Sequence, residues 1–180
     1  MSTTSQGCLT AGQITAYATS ILSAQYRMHT FLILILKPFA RLIQWDHGGV
    51  VVMAPIYYDQ EPHLFDFFIR YDAATHDVRG HDLTVCFPTD GESQRAHELS
   101  DLADAKSLLT ITIPDPDQLQ ESSTYVIPAP SAQPDILTGH WTWTSIAYNV
   151  QRNMYILLKD SWQVLLEDVT PEGKVYARLH

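Results

Sequence analysis

Between residues 10 and 27 the apolar side chains Ile14, Tyr17, Ile21, Leu22 and Tyr26 recur at steps near three and four, with no proline among them. That period predicts an amphipathic helix starting at Thr10 or Gly12. The pattern then changes. Residues 30–37 are a short apolar run, residues 41–45 alternate, and residues 50–53 are apolar again. Asp46, His47, Gly48 and Gly49 separate the last two runs, and glycine accepts the positive φ that a tight turn requires. Residues 41–45 and 50–53 are therefore expected to pair antiparallel, with His47 as a turn residue and residues 57–59 extending the second strand beyond Pro55. Glu61 and Pro62 open a helix in which Leu64, Phe65, Phe67, Phe68, Ile69 and Tyr71 crowd every face. Such crowding predicts burial on most sides. Residues 25–75 would then form one hydrophobic unit, and Phe68→Ala would cost about 3–5 kcal/mol.

Residues 76–106 are polar and punctuated by Gly80, Pro88 and Gly91, with a helix expected over 93–106. Strands are expected at 107–113 and 124–127, around a proline-rich turn at 114–117. Pro128, Pro130 and Pro134 mark a linker. Two more strands, 136–150 and 153–159, would join at residues 151–153, and a last helix would cover 172–179. The fold class is α+β: an antiparallel hairpin region with helices, then a strand–strand–helix unit. The expected division is a flexible terminus at 1–9, a first region at 10–130 and a second at 131–180.

Composition narrows the function classes. The 180 residues are 46% hydrophobic and 17% charged, which is globular composition. With 11 basic and 20 acidic residues the net charge is −9, which argues against a nucleic-acid or anionic-membrane surface. The longest apolar run, residues 31–36, falls far below the roughly 20 residues a bilayer span needs. The first residues lack the basic and apolar segments of a signal peptide, so an intracellular protein of cytoplasm or nucleus is expected. Cys8 and Cys86 are read as two unpaired thiols. His76, Asp77, His81 and Asp82 surround Gly80 without metal-ligand spacing, and Arg79 with Asp82 is expected to brace that loop by an ion pair. No Gly-x-Ser-x-Gly elbow or Ser–His–Asp order supports hydrolase chemistry.

More specific are QYRMHTF at 25–31, FARLIQWDHGG at 39–49, EPHLFDFF at 61–68 and RGHDLTV at 79–85. They are followed by YILLKDSW at 155–162 and PEGKVYARL at 171–179. In order and spacing these segments resemble the fungal-type protein kinase family, over roughly residues 12–180. The family function is ATP-dependent phosphorylation of protein serine or threonine. The resemblance implies that Lys159 matches the small-lobe strand lysine that holds the ATP phosphates, and Glu172 the helix acid that pairs with it. Gly139 and Ala147 match the first strands of that lobe, whereas Trp141 and Trp143 stand where close-approach glycines are usual and are read as a packing face. The second unit would be an incomplete small lobe. Neither the catalytic-loop His-Arg-Asp nor the metal-binding Asp-Phe-Gly occurs before His180, so no catalytic residue is assigned and Mg²⁺ is not expected. The expectation is a truncated kinase without activity as this chain. The alternative is a non-catalytic interaction module that binds a protein partner through an unpaired sheet edge, unless strands from 107–127 cover that edge.

Overall fold

Thr4 starts the first helix. Its hydroxyl accepts from the Gly7 amide at 3.2 Å, satisfying one of the amides that a helix start leaves open. The helix α1 runs Ser5–Ala24, so it begins well before Thr10 and reaches into the stretch expected to be a flexible terminus. The apolar period misses this turn because its one large apolar residue, Leu9, is 66% exposed. The computed structural model describes residues 4–98, 102, 104–114, 121–130 and 142–161.

Three strands follow, β1 (His29–Ile35), β2 (Ala40–Asp46) and β3 (Gly49–Val52), paired antiparallel in that order. The expected hairpin is present. Asp46 Oδ1 accepts from the Gly48 and Gly49 amides, Gly49 sits at positive φ, and Trp45 lies opposite Val50. His47 occupies the turn but is buried. Beyond β3 the strand is not extended through residues 57–59. Pro55 has no amide to donate, and the chain instead exchanges both backbone bonds between Ile56 and Ala40 before turning at Tyr57–Gln60. One face of this sheet packs on α1 through Ala18, Leu22, Ile43 and Trp45.

The helix α2 (His63–Ala73) overturns the expectation of burial. Its own residues include none that are buried, and Phe65, Phe68 and Ile69 are largely exposed. Phe67 and Tyr71, one turn apart, meet Phe31 of β1 at 5.7 and 6.0 Å between ring centroids. At 48% exposure, Phe68 cannot carry the 3–5 kcal/mol expected of an enclosed ring.

The second sheet is a five-stranded antiparallel meander: β4 (Val85–Cys86), β5 (Leu108–Pro114), β6 (Ser122–Pro128), β7 (Thr142–Asn149) and β8 (Met154–Ser161). The helix α3 (Asp90–Glu98) precedes β5. A reciprocal box starts it: Thr89 Oγ1 accepts from the Glu92 amide, and Glu92 Oε2 accepts from the Thr89 amide at 2.8 Å. This start lies ahead of the expected Ser93, and Leu102 and Asp104 are already in turns rather than helix. The β7–β8 turn falls at the expected residues. Asn153 adopts φ 51°, its Oδ1 accepts from the Tyr148 hydroxyl at 2.8 Å, and Asn149 Oδ1 accepts from the Arg152 amide. The expected division after residue 130 falls between β6 and β7, which are neighbours in one sheet, with Val126 opposite Tyr148. The expected final helix at 172–179 lies outside the described residues. The class is α+β.

Two cores fill the second sheet, one on each face. Tyr148, Val126, Leu108, Leu102 and Ala96 form the first, and Ile111, Ile127, Ala147 and Leu158 the second. Burying each large aliphatic side chain contributes roughly 1.5–3 kcal/mol. Tyr26, from the link between α1 and β1, joins the second core and meets Trp143 edge-on at 5.4 Å. Around it the link pairs with the loop before β4: Met28 donates to the Gly80 carbonyl at 2.8 Å, and Asp82 donates to the Tyr26 carbonyl. Gly80 has φ +90°, and a Cβ there would fall 2.0 Å from the His29 carbonyl oxygen. Gly80→Ala is therefore expected to lower stability by about 3 kcal/mol, because both the dihedral and the approach are lost. Gly12→Ala, in open space within α1, should instead stabilise by up to about 1 kcal/mol. Urea midpoints of the two variants test the contrast, and equal midpoints would refute it.

Candidate functional site

The residues matched to a nucleotide site fall on the β7–β8 ribbon or outside the described residues. Strict register decides what the ribbon presents. Thr144 lies opposite Lys159 and Ala147 opposite Ile156. Side chains alternate between faces, so Ala147 and Lys159 belong to opposite faces of the ribbon. Ala147 is fully buried against Leu158, Ile127 and Ile111. Lys159 is exposed, on the face that also carries Leu157 and Ile146, at 71% and 41% exposure. The structure does not bring the two together. Gly139, Glu172 and Trp141 lie outside the described residues, and with them the expected Lys159–Glu172 pair.

Trp143 does pack as a strand face, against Tyr26. Its partner across the ribbon is Asp160, on the inner face and away from Lys159. Burial raises the Asp160 carboxyl above the ordinary carboxylate range, and the charge of Asp82 raises it further. The Tyr26 phenol is pushed above its usual value by burial first, then by Asp160 and Asp82. Its hydroxyl is buried without a hydrogen-bond partner among the described residues. Tyr26, Asp82, Trp143 and Asp160 thus converge from four distant positions. No sequence spacing signals them, because the sheet register and the seam between the two sheets bring them together. The two groups shifted there, Tyr26 and Asp160, both move in the direction that favours the protonated form.

The loop around Gly80 is braced, but not by an Arg79–Asp82 ion pair. Arg79 Nε donates to the Ala74 carbonyl at 3.0 Å, Arg79 Nη2 donates to the Asp72 carbonyl, and the guanidinium lies over the Tyr71 ring. Asp82 Oδ1 instead accepts from the amide and hydroxyl of Thr84. The rings of His76 and His81 stand edge-on at 5.4 Å. His81 Nε2 is 3.0 Å from Arg27 Nη2, and burial followed by the Arg27 charge holds its pKa low. No group of three or more His, Cys, Asp or Glu among the described residues is arranged to hold a metal ion. Cys8 and Cys86 are both free and exposed.

No family model, curated protein or solved structure matches this chain. Among the described residues no helix is long and apolar enough to cross a membrane.

The buried acid generates a pH test. With its folded pKa raised, Asp160 favours the fold while protonated and weakens it once ionised, so its contribution falls as pH rises through the folded value. Asp160→Asn should therefore raise the denaturation midpoint at pH 7, and the advantage should vanish near pH 3, where both side chains are neutral. A midpoint difference that is the same at both pH values would refute the assignment.

Proposed function

We propose that this chain is a non-phosphorylating relative of the fungal-type protein kinases that acts by binding another protein. The motif order along residues 12–180 supports the lineage. One observation supports binding over catalysis: Lys159 and Ala147 occupy opposite faces of the β7–β8 ribbon. A nucleotide cleft lies on one side of a sheet, so Ala147 and Lys159, the two described residues that the resemblance assigns to it, are expected to share a face. Neither ATP nor Mg²⁺ is a cofactor in this reading. The binding surface is the exposed face of β8, where Leu157 flanks Lys159, together with its outer edge, since β8 ends the order of the five-stranded sheet. Along the other edge of the ribbon, β6 pairs with β7 at Tyr148 and Asn149. An extended partner segment adding to β8 would take main-chain hydrogen bonds from the edge and side-chain contacts from Leu157. The negative net charge supports a partner that is neither nucleic acid nor an anionic membrane, and two free cysteines support an intracellular setting.

Calorimetric titration with Mg-ATP, beside a labelled-ATP phosphorylation assay, tests this reading. No saturable binding in the micromolar range and only background incorporation are expected, unchanged by Lys159→Met. Micromolar affinity or incorporation that Lys159→Met abolishes would overturn the proposal in favour of phosphoryl transfer.

A further inference from the structure

We infer that the groove between the first half of α1 and the three-stranded sheet binds a fatty carboxylate, an aliphatic chain bearing one carboxylate. The two buried residues of the helix, Ala18 and Leu22, both lie in its second half. Ahead of them helix and sheet part around a cavity of about 670 Å³. Small-molecule sites typically span about 300–1,000 Å³. Leu34, Ile43 and Val52 form the floor, and Ala11 and Ile14 the helical wall. All five are aliphatic, so the body of the ligand is apolar.

Arg41 supplies the charge. Among the described residues it is the only charged one lining the cavity, in a chain whose acids outnumber its bases 20 to 11. An apolar chamber with one cation and no acid complements an apolar monoanion and disfavours a cation or a dianion. The guanidinium is already positioned, because Arg41 Nη1 donates to the Met53 carbonyl at 3.1 Å and the group lies 5.6 Å from the centre of the Phe39 ring. With five N–H donors, one committed to Met53 leaves it able to take a carboxylate. Thirteen of the described residues line the cavity. A macromolecular interface of ordinary size uses about 20–30 residues on each side, so a small molecule fits better than a protein.

Dodecanoate, titrated calorimetrically into the full chain below its micelle concentration, tests the inference, with dodecanol as the uncharged control. Saturable 1:1 binding of dodecanoate is expected. Arg41→Gln should weaken dodecanoate by about tenfold or more, the size of one charge-assisted hydrogen bond, and leave dodecanol unchanged. Because Arg41→Gln also removes the Met53 contact, Ala11→Phe provides a second probe: it fills the groove from the helix and should abolish binding of both compounds, with the fold verified by circular dichroism. Absence of saturable binding to the native chain would overturn the inference, as would binding that Ala11→Phe leaves intact. So would a dimer in sedimentation equilibrium that Ala11→Phe returns to monomer, since a second copy would then be the occupant.

Discussion

The approach of the Gly80 backbone to His29 is the constraint on which the rest of the molecule depends. At that point the link from α1 into β1 runs antiparallel to the loop entering β4, joined by Met28 to Gly80 and by Asp82 to Tyr26. Each such bond contributes only about 0.5–1.5 kcal/mol net. The larger contribution comes from what the approach permits. With the two backbones this close, the Tyr26 ring reaches the core of the second sheet and packs on Trp143, an aromatic pair worth about 0.5–1.5 kcal/mol beyond its burial. A side chain at residue 80 would separate the backbones and withdraw that ring.

The same seam sets the electrostatics. Asp82 is held there by its own backbone bond to Tyr26 and by Thr84, and Asp160 reaches it from the inner face of β8. Burial raises the Asp160 carboxyl, and the charge of Asp82 adds to that rise. Lys159 is next in sequence to one of them, and strand alternation turns it to the opposite face. What Lys159 accompanies instead is exposed apolar surface, Leu157 and Ile146. Asp160 beside Trp143 on one face, and exposed Leu157 and Lys159 on the other, are consequences of one register.

The seam also explains the groove at the far end of α1. The C-terminal end of the helix is tied down through Leu22 and, just beyond it, Tyr26. The N-terminal end carries its own cap, Thr4, and meets the sheet through Ile14. A helix anchored at one end over a twisted sheet diverges from it at the other. Arg41 and Phe39 lie on that diverging side, which places the one cation of the cavity beside its apolar floor.

Local chemistry alone determined much of the fold. Asp46–Gly49 specified the first hairpin, residues 151–153 the second, and the absence of proline together with a three-to-four period specified α1. The box formed by Thr89 and Glu92 is likewise readable in the sequence and marks the start of α3 better than the nearby glycine and proline punctuation does. Tertiary structure decided the rest. Aromatic crowding in residues 64–71 states that a helix is apolar but not how much of it finds a partner; in α2, Phe67 and Tyr71 meet Phe31 while Phe65, Phe68 and Ile69 stay exposed. The candidate site depended on a still finer quantity. Ala147 and Lys159 part company because the β7–β8 turn sets Asn149 opposite Met154, and a turn one residue longer or shorter would have put them on one face. Residue types and spacings along the chain do not encode that parity; it is fixed only when the turn closes and the ladder forms.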